Sequence, residues 1–117
     1  MAVEATFDCL KSVDRKGIGG LYFASTSSPY REKQCATLVA GAVDLGQELA
    51  TADFTSSLRA GTAALGAALD AVAAGSAQKV LVAAADTRLG YPQSPQEQAF
   101  GDGAAAFLVA NTGVIAE

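Results

Sequence analysis

Histidine is absent from all 117 residues, which removes the usual general base and the commonest metal ligand together. No cluster of Cys, Asp or Glu with metal-ligand spacing takes its place, so neither a metal nor a resident cofactor is expected. Cysteine is scarce: Cys9 and Cys35 fall in helical-looking segments and read as small buried thiols rather than a disulfide framework, which fits a cytoplasmic setting. Basic charge is short as well, with eight Lys and Arg against twelve Asp and Glu. That balance argues against a general nucleic-acid or anionic-membrane binder, since both need a basic field. The longest apolar run, Ala60 to Ala74, is too short to span a bilayer and is interrupted by Asp70. Met1 leads into an amphipathic segment without the charged start and apolar stretch of a signal peptide.

What is present is apolar. Half the residues are hydrophobic and only 17% are charged, a composition that folds rather than stays disordered and that hides more surface than a small domain usually can. Val3, Phe7 and Leu10 at helical spacing predict a surface helix over 2–14, broken by Gly17, Gly19 and Gly20. Leu21 to Ser25 reads as a buried parallel strand and Ser25 to Pro29 as a loop. A helix follows from Glu32, with Cys35, Leu38, Val39, Ala42 and Leu45 on one face and Gly46 as its left-handed stop. Leu49 to Thr55 reads as a strand, and Ser56 or Ser57 is placed to cap a helix from Leu58 to Ala74, ended by Gly75. Lys79 to Ala85 is a third strand. Thr87 to Phe100, with Pro92 and Pro95, reads as a long ordered loop, and Gly101 to Gly103 turn the chain into a last, antiparallel strand over Ala104 to Ala110. The alternation predicts one α/β domain over 1–117, with a mostly parallel sheet covered by helices on both faces.

The helix from Leu58 to Ala74 is the most informative stretch. Leu58, Leu65, Leu69 and Val72 make one apolar face, the remainder is almost all Ala and Gly, and Asp70 is the only charge after Arg59. A helix without a polar side is normally enclosed all round, and a four-stranded sheet encloses it from one side only. Either alanine simply favours helix and tolerates water on that side, or a second cover comes from further polypeptide, a partner chain or a second copy.

The run TADFTSSLRAGTAALGAALDAV, the strand KVLVAAADTRL and the turn with strand FGDGAAAFLVA together resemble the N-terminal half of thiolase-superfamily condensing enzymes. Among these, the 3-hydroxy-3-methylglutaryl-CoA synthase and ketoacyl synthase III branch is the nearest in pattern, over roughly 21–111. The resemblance implies an acyltransferase that joins carbon atoms by Claisen chemistry on coenzyme A thioesters, built from two similar halves with this helix between their sheets. It implies that 1–117 is an incomplete domain, lacking an opening strand that pairs beside the last one, and that the edge strand 49–55 pairs across a homodimer twofold. It places the family's nucleophilic cysteine at Leu58 and the synthase branch's glutamate at Thr26, while the family's histidine and asparagine belong to the other half.

Leucine cannot accept an acyl group, and the neighbouring Ser56 and Ser57 lack a base, so Ser57 is only a weak candidate nucleophile and reads better as a helix cap. Asp86, at the carboxyl end of its strand, is a candidate binding residue or a turn cap with Thr87. Arg59 and Arg88 are candidates for coenzyme A phosphates or for surface ion pairs, and Tyr91 for a tunnel or a partner surface. Neither FGDG, which leads into a strand, nor Gly17 to Gly20, which precede one, fits a nucleotide-binding loop. Three functions stay open: a fragment or subunit of an acyl-CoA condensing enzyme, inactive alone and completed by a homodimer or a second thiolase-like half; a non-catalytic assembly partner of such an enzyme; or a free-standing ligand-binding α/β domain, which requires a monomer in solution.

Overall fold

The computed structural model describes residues 1–113 and 115. Eight elements follow in order: α1 (Ala2–Leu10), β1 (Ile18–Ala24), α2 (Cys35–Ala42), β2 (Ala50–Phe54), α3 (Ala60–Ala73), β3 (Lys79–Asp86), α4 (Pro95–Ala99) and β4 (Gly103–Ala110). The four strands form one sheet in the order β2-β1-β3-β4. β1 runs parallel to β2 and to β3. β4 returns antiparallel along β3, from Lys79 opposite Ala110 to Asp86 opposite Gly103; the helix in the segment between them, α4, is only five residues long.

Alternation along the buried strands sorts the core into two layers. Leu21, Phe23, Leu81 and Ala83 face α1 and α2 with Leu10, Cys35, Val39 and Val43. Ala24, Val80, Val82 and Val109 face α3 on the other side. Fully buried Leu21, Leu81 and Val80 mark the centre, where β1 and β3 pair. The result is the expected α/β domain with helices on both faces of a mixed, mainly parallel sheet.

Several boundaries differ from the sequence expectation for local reasons. The first helix stops at Leu10 rather than 14, and Thr6, its hydroxyl bonded to the Ala2 carbonyl at 2.8 Å, is buried while Phe7 stays 38% exposed. Gly19 and Gly20 do not break the chain but belong to β1. A Cβ on Gly19 would lie 3.0 Å from the Ala77 Cβ, so close approach is the use of that glycine. The second helix is shorter than expected, and Asp44, with φ 55°, takes the left-handed position assigned to Gly46. Its start is fixed from a distance: the Asp53 carboxylate on β2 accepts from the Cys35 N–H at 2.6 Å and the Ala36 N–H at 2.7 Å. α4 was not foreseen within the 87–100 loop; Ser94 accepts from the Glu97 N–H and Pro95 fills the first turn.

The α3 helix is the main correction. Ala60, Ala64, Ala68 and Val72, four apart, press against the sheet, while Leu58 is 82% and Leu69 54% exposed. Alanine lets the helix backbone lie close on the strands, so Ala60, Ala64 and Ala68 meet the sheet together with Val72 and the partly buried Leu65 of the expected apolar face, while Leu58 and Leu69 of that face turn outward. Among the described residues nothing covers the opposite side of α3, nor Phe107 of β4, 59% exposed on the same face of the sheet. Among the described residues, α3 is enclosed from the sheet side alone.

Candidate functional site

The carboxyl ends of β1, β2 and β3 lie together, the edge at which open parallel sheets bind ligands. β1 ends in Ser25, Thr26, Ser27 and Ser28, β2 runs into Thr55 and Ser56, and β3 ends at Asp86. Asp86 organises the first of these. Its Oδ1 accepts from the Ser25 hydroxyl at 2.9 Å, the Thr26 N–H at 2.6 Å, and from Ser27 through both the N–H at 2.9 Å and the hydroxyl at 2.8 Å. The Ser27 hydroxyl oxygen in turn accepts from the Thr87 N–H at 2.9 Å. Partial burial works against the charge on Asp86, but the donors from Ser27, Thr26 and Ser25 outweigh it and hold the carboxyl below the usual carboxylate range. The carboxylate therefore staples the loop after β1 to the end of β3, a larger role than capping its own turn.

Between that loop and the turn before α3 lies a cavity of about 270 Å³, lined by Ser25, Thr26, Ser28, Tyr30, Arg31, Thr55 and Ser56. Ser56 has φ 64°, a left-handed conformation that a non-glycine residue holds at a cost of roughly 1–2 kcal/mol. Ser57 is not a side-chain cap of α3 as expected. Its hydroxyl accepts from the Arg59 N–H at 3.1 Å, tightening the turn ahead of the helix, whose N-cap is Arg59 without a side-chain bond. Leu58 stands on the outside of this turn.

The candidate residues therefore divide. Thr26 and Asp86 are brought into direct contact, and Ser57, Leu58 and Arg59 form the turn next to the Thr55–Ser56 wall of the cavity. Arg88 is turned elsewhere, its guanidinium 5.3 Å from the Phe100 ring centre. Tyr91 is 86% exposed and lines neither the cavity nor the core. Ser25, Ser27, Tyr30 and Arg31 were not singled out from the sequence as site residues; the clue was a run of hydroxyls after one strand facing an acid at the end of its neighbour. Cys35 is buried with its Sγ 3.3 Å from the Ser28 hydroxyl, behind the cavity wall. Burial raises the Cys9 thiol above its ordinary value, which disfavours a thiolate there. Among the described residues no group of three or more Cys, Asp or Glu could hold a metal ion, and no helix is long and apolar enough to cross a membrane.

A mixed sheet with this strand order, an alanine-faced helix on one side and a ligand edge framed by the α3 turn defines the thiolase-like class of condensing enzymes. Residues 52–116 match the 3-oxoacyl-[acyl-carrier-protein] synthase III family, and the chain belongs to that family. A hydroxymethylglutaryl-CoA synthase of Methanocella arvoryzae is 38% identical over 117 residues, covering 99% of this chain and 34% of its own. The structure of MvaS in complex with 3-hydroxy-3-methylglutaryl coenzyme A superposes with a TM-score of 0.87 at 27% identity, over 93% of this chain and 27% of that one. The β-ketoacyl-[acyl carrier protein] synthase III of Thermus thermophilus superposes with a TM-score of 0.82 at 25% identity, over 93% of this chain and 35% of that one. The chain spans about a third of the length of the curated relatives it matches.

Proposed function

We propose that this chain supplies one half of an acyl-CoA condensing site of the hydroxymethylglutaryl-CoA synthase and ketoacyl synthase III type, and that it transfers no acyl group by itself. One observation carries this reading. The cavity lies between Thr26 and the turn holding Leu58, the two positions where the family resemblance calls for a carboxylate and a thiol, and neither residue can act as base or nucleophile. The hydroxyls of Ser56 and Ser57 stand nearby, but the sequence holds no histidine to activate them. A complete site would need a nucleophile, a base and oxyanion donors from a second thiolase-like half or subunit, with coenzyme A thioesters as substrates.

The reading is tested by incubating the purified chain with acetyl-CoA and measuring intact mass. No covalent acetyl group is expected; one acetyl group mapped to Ser56, Ser57 or Cys35 would sink the proposal. Replacement Leu58→Cys sharpens the test, because position 58 is open to solvent. Its thiol is expected to alkylate readily yet to take acetyl from acetyl-CoA no faster than free cysteine does, for want of a partner base.

A second reading, a non-catalytic assembly partner, is favoured by the apolar side of α3 with Leu69 and by Phe107, both open to a partner. It requires a separate complete thiolase-type subunit whose activity survives removal of this chain.

A further inference from the structure

The cavity after β1 and β2 has a chemistry of its own that acyl transfer does not use. Its lining residues are Ser25, Thr26, Ser28, Tyr30, Arg31, Thr55 and Ser56, with no Asp, Glu, Leu, Ile, Val or Met among them. Arg31 makes neither a hydrogen bond nor an ion pair among the described residues, although Glu32 is its neighbour in sequence. Most other cations are committed: Arg15 donates to the Val43 carbonyl, Lys79 to the Asp14 and Lys16 carbonyls, Lys11 pairs with Asp8, and Arg88 sits over Phe100. Lys33 holds its ammonium 5.4 Å from the centre of the ring of Tyr30, one of the lining residues. Thr55 and Ser56 hydroxyls lie 3.5 Å apart, either of them able to donate outward. Of the carboxylates around the loop, Asp86 has Oδ1 facing four donors and Asp53 accepts from the Cys35 and Ala36 N–H groups, so both are already answered by protein donors.

An unpaired arginine beside residues that carry hydroxyl donors, with no acidic residue in the lining, suits an oxyanion. We infer that this cavity is a non-covalent binding site for a small oxyanion group, a phosphate or a carboxylate, gripped by Arg31 and the Thr55–Ser56 hydroxyls. The inference goes beyond the condensing reading, since it needs the cavity alone and no acyl transfer.

The test is an amide chemical-shift titration of the full chain with inorganic phosphate and, separately, with malonate, at constant ionic strength held by chloride. Saturable shifts confined to Thr26, Ser28, Arg31, Thr55 and Ser56 are expected. Arg31 has no hydrogen-bond or ion-pair partner among the described residues, so Arg31→Gln should keep the spectrum of the folded chain while binding weakens about tenfold, the usual scale for losing one charge-assisted contact. Arg31→Lys should recover part of that loss, and Lys16→Gln none of it should incur. Saturation by phosphate alone assigns the site to phosphate esters, by malonate alone to carboxylic acids, and by both to either. Linear, unsaturable shifts, or equal binding by the wild type and Arg31→Gln, would overturn the inference. The acetyl-CoA mass measurement is independent of these outcomes, so the two readings can fail separately.

Discussion

A single oxygen of Asp86 receives four donors from three consecutive residues, and that concentration makes the residue a structural pin as well as a wall of the ligand edge. Replacement by Asn keeps the shape but removes the charge that strengthens each bond, and replacement by Ala leaves the loop amides without an acceptor. The bonds share one atom and lie near the surface, so their effects do not add. A loss of about 1–3 kcal/mol is expected for Asp86→Ala and less for Asp86→Asn, read from urea midpoints. The pH dependence follows from the same bonds. The folded carboxyl titrates below its unfolded value of about 3.9, so the contribution is complete above that value and is lost as pH falls through the lower, folded one. Acid unfolding of the wild type should therefore show a steeper decline below about pH 4 than Asp86→Asn does; identical acid limbs would refute the role given to Asp86.

At the scale of elements, α3 is decided by how near it can come to the sheet. Ala64 and Ala68 are fully buried against β1 and β3, and a larger side chain at either would lift the helix from Val80 and Val82. Ala68→Leu is expected to cost about 1–3 kcal/mol by overpacking, while Leu69→Ala, one residue along and 54% exposed, should change the stability of the isolated chain by about 0.5 kcal/mol or less. Thermal melts of the two variants check this, and an equal drop in both would mean that the leucine side carries the packing. Much of the fold was legible beforehand: β1, β3 and β4 announce themselves as apolar runs, and the glycine-flanked Asp102 marks the turn into the antiparallel last strand. The side that α3 turns to the sheet was legible only in part: Leu65 and Val72 of the expected apolar face pack there, but close approach brings in Ala60, Ala64 and Ala68 ahead of Leu58 and Leu69, and only the geometry ranks them. The Asp53 cap of α2 escaped for another reason, since it acts across the gap between two elements that local spacing cannot join. Of the site, Asp86 and Thr26 could be picked as separate candidates, but their bond and the lone Arg31 depend on how β1, β2 and β3 align at their ends.

For the whole molecule the surface left open matters most. The outer side of α3 and Phe107 present apolar area with little charge, and β2 and β4 leave two strand edges unpaired within the described sheet. Such edges and patches on one small domain favour association. We propose that the isolated chain self-associates through one of them, until a second thiolase-like half or subunit takes the place. Light scattering across a concentration series should show dimers or larger species, and two variants separate the routes. Leu69→Lys with Phe107→Lys places charge on the α3 face, and should return the chain to monomer if that face is the contact. Ala52→Pro removes a backbone donor from β2 and disrupts its outer or inner ladder; hydrogen exchange at Tyr22 and Phe23 tells which, since these residues pair with Ala52 and Asp53. A wild-type chain that stays monomeric at high concentration would show that alanine at the helix surface tolerates water well enough without a second layer, and the case for a missing cover over α3 would fall with it.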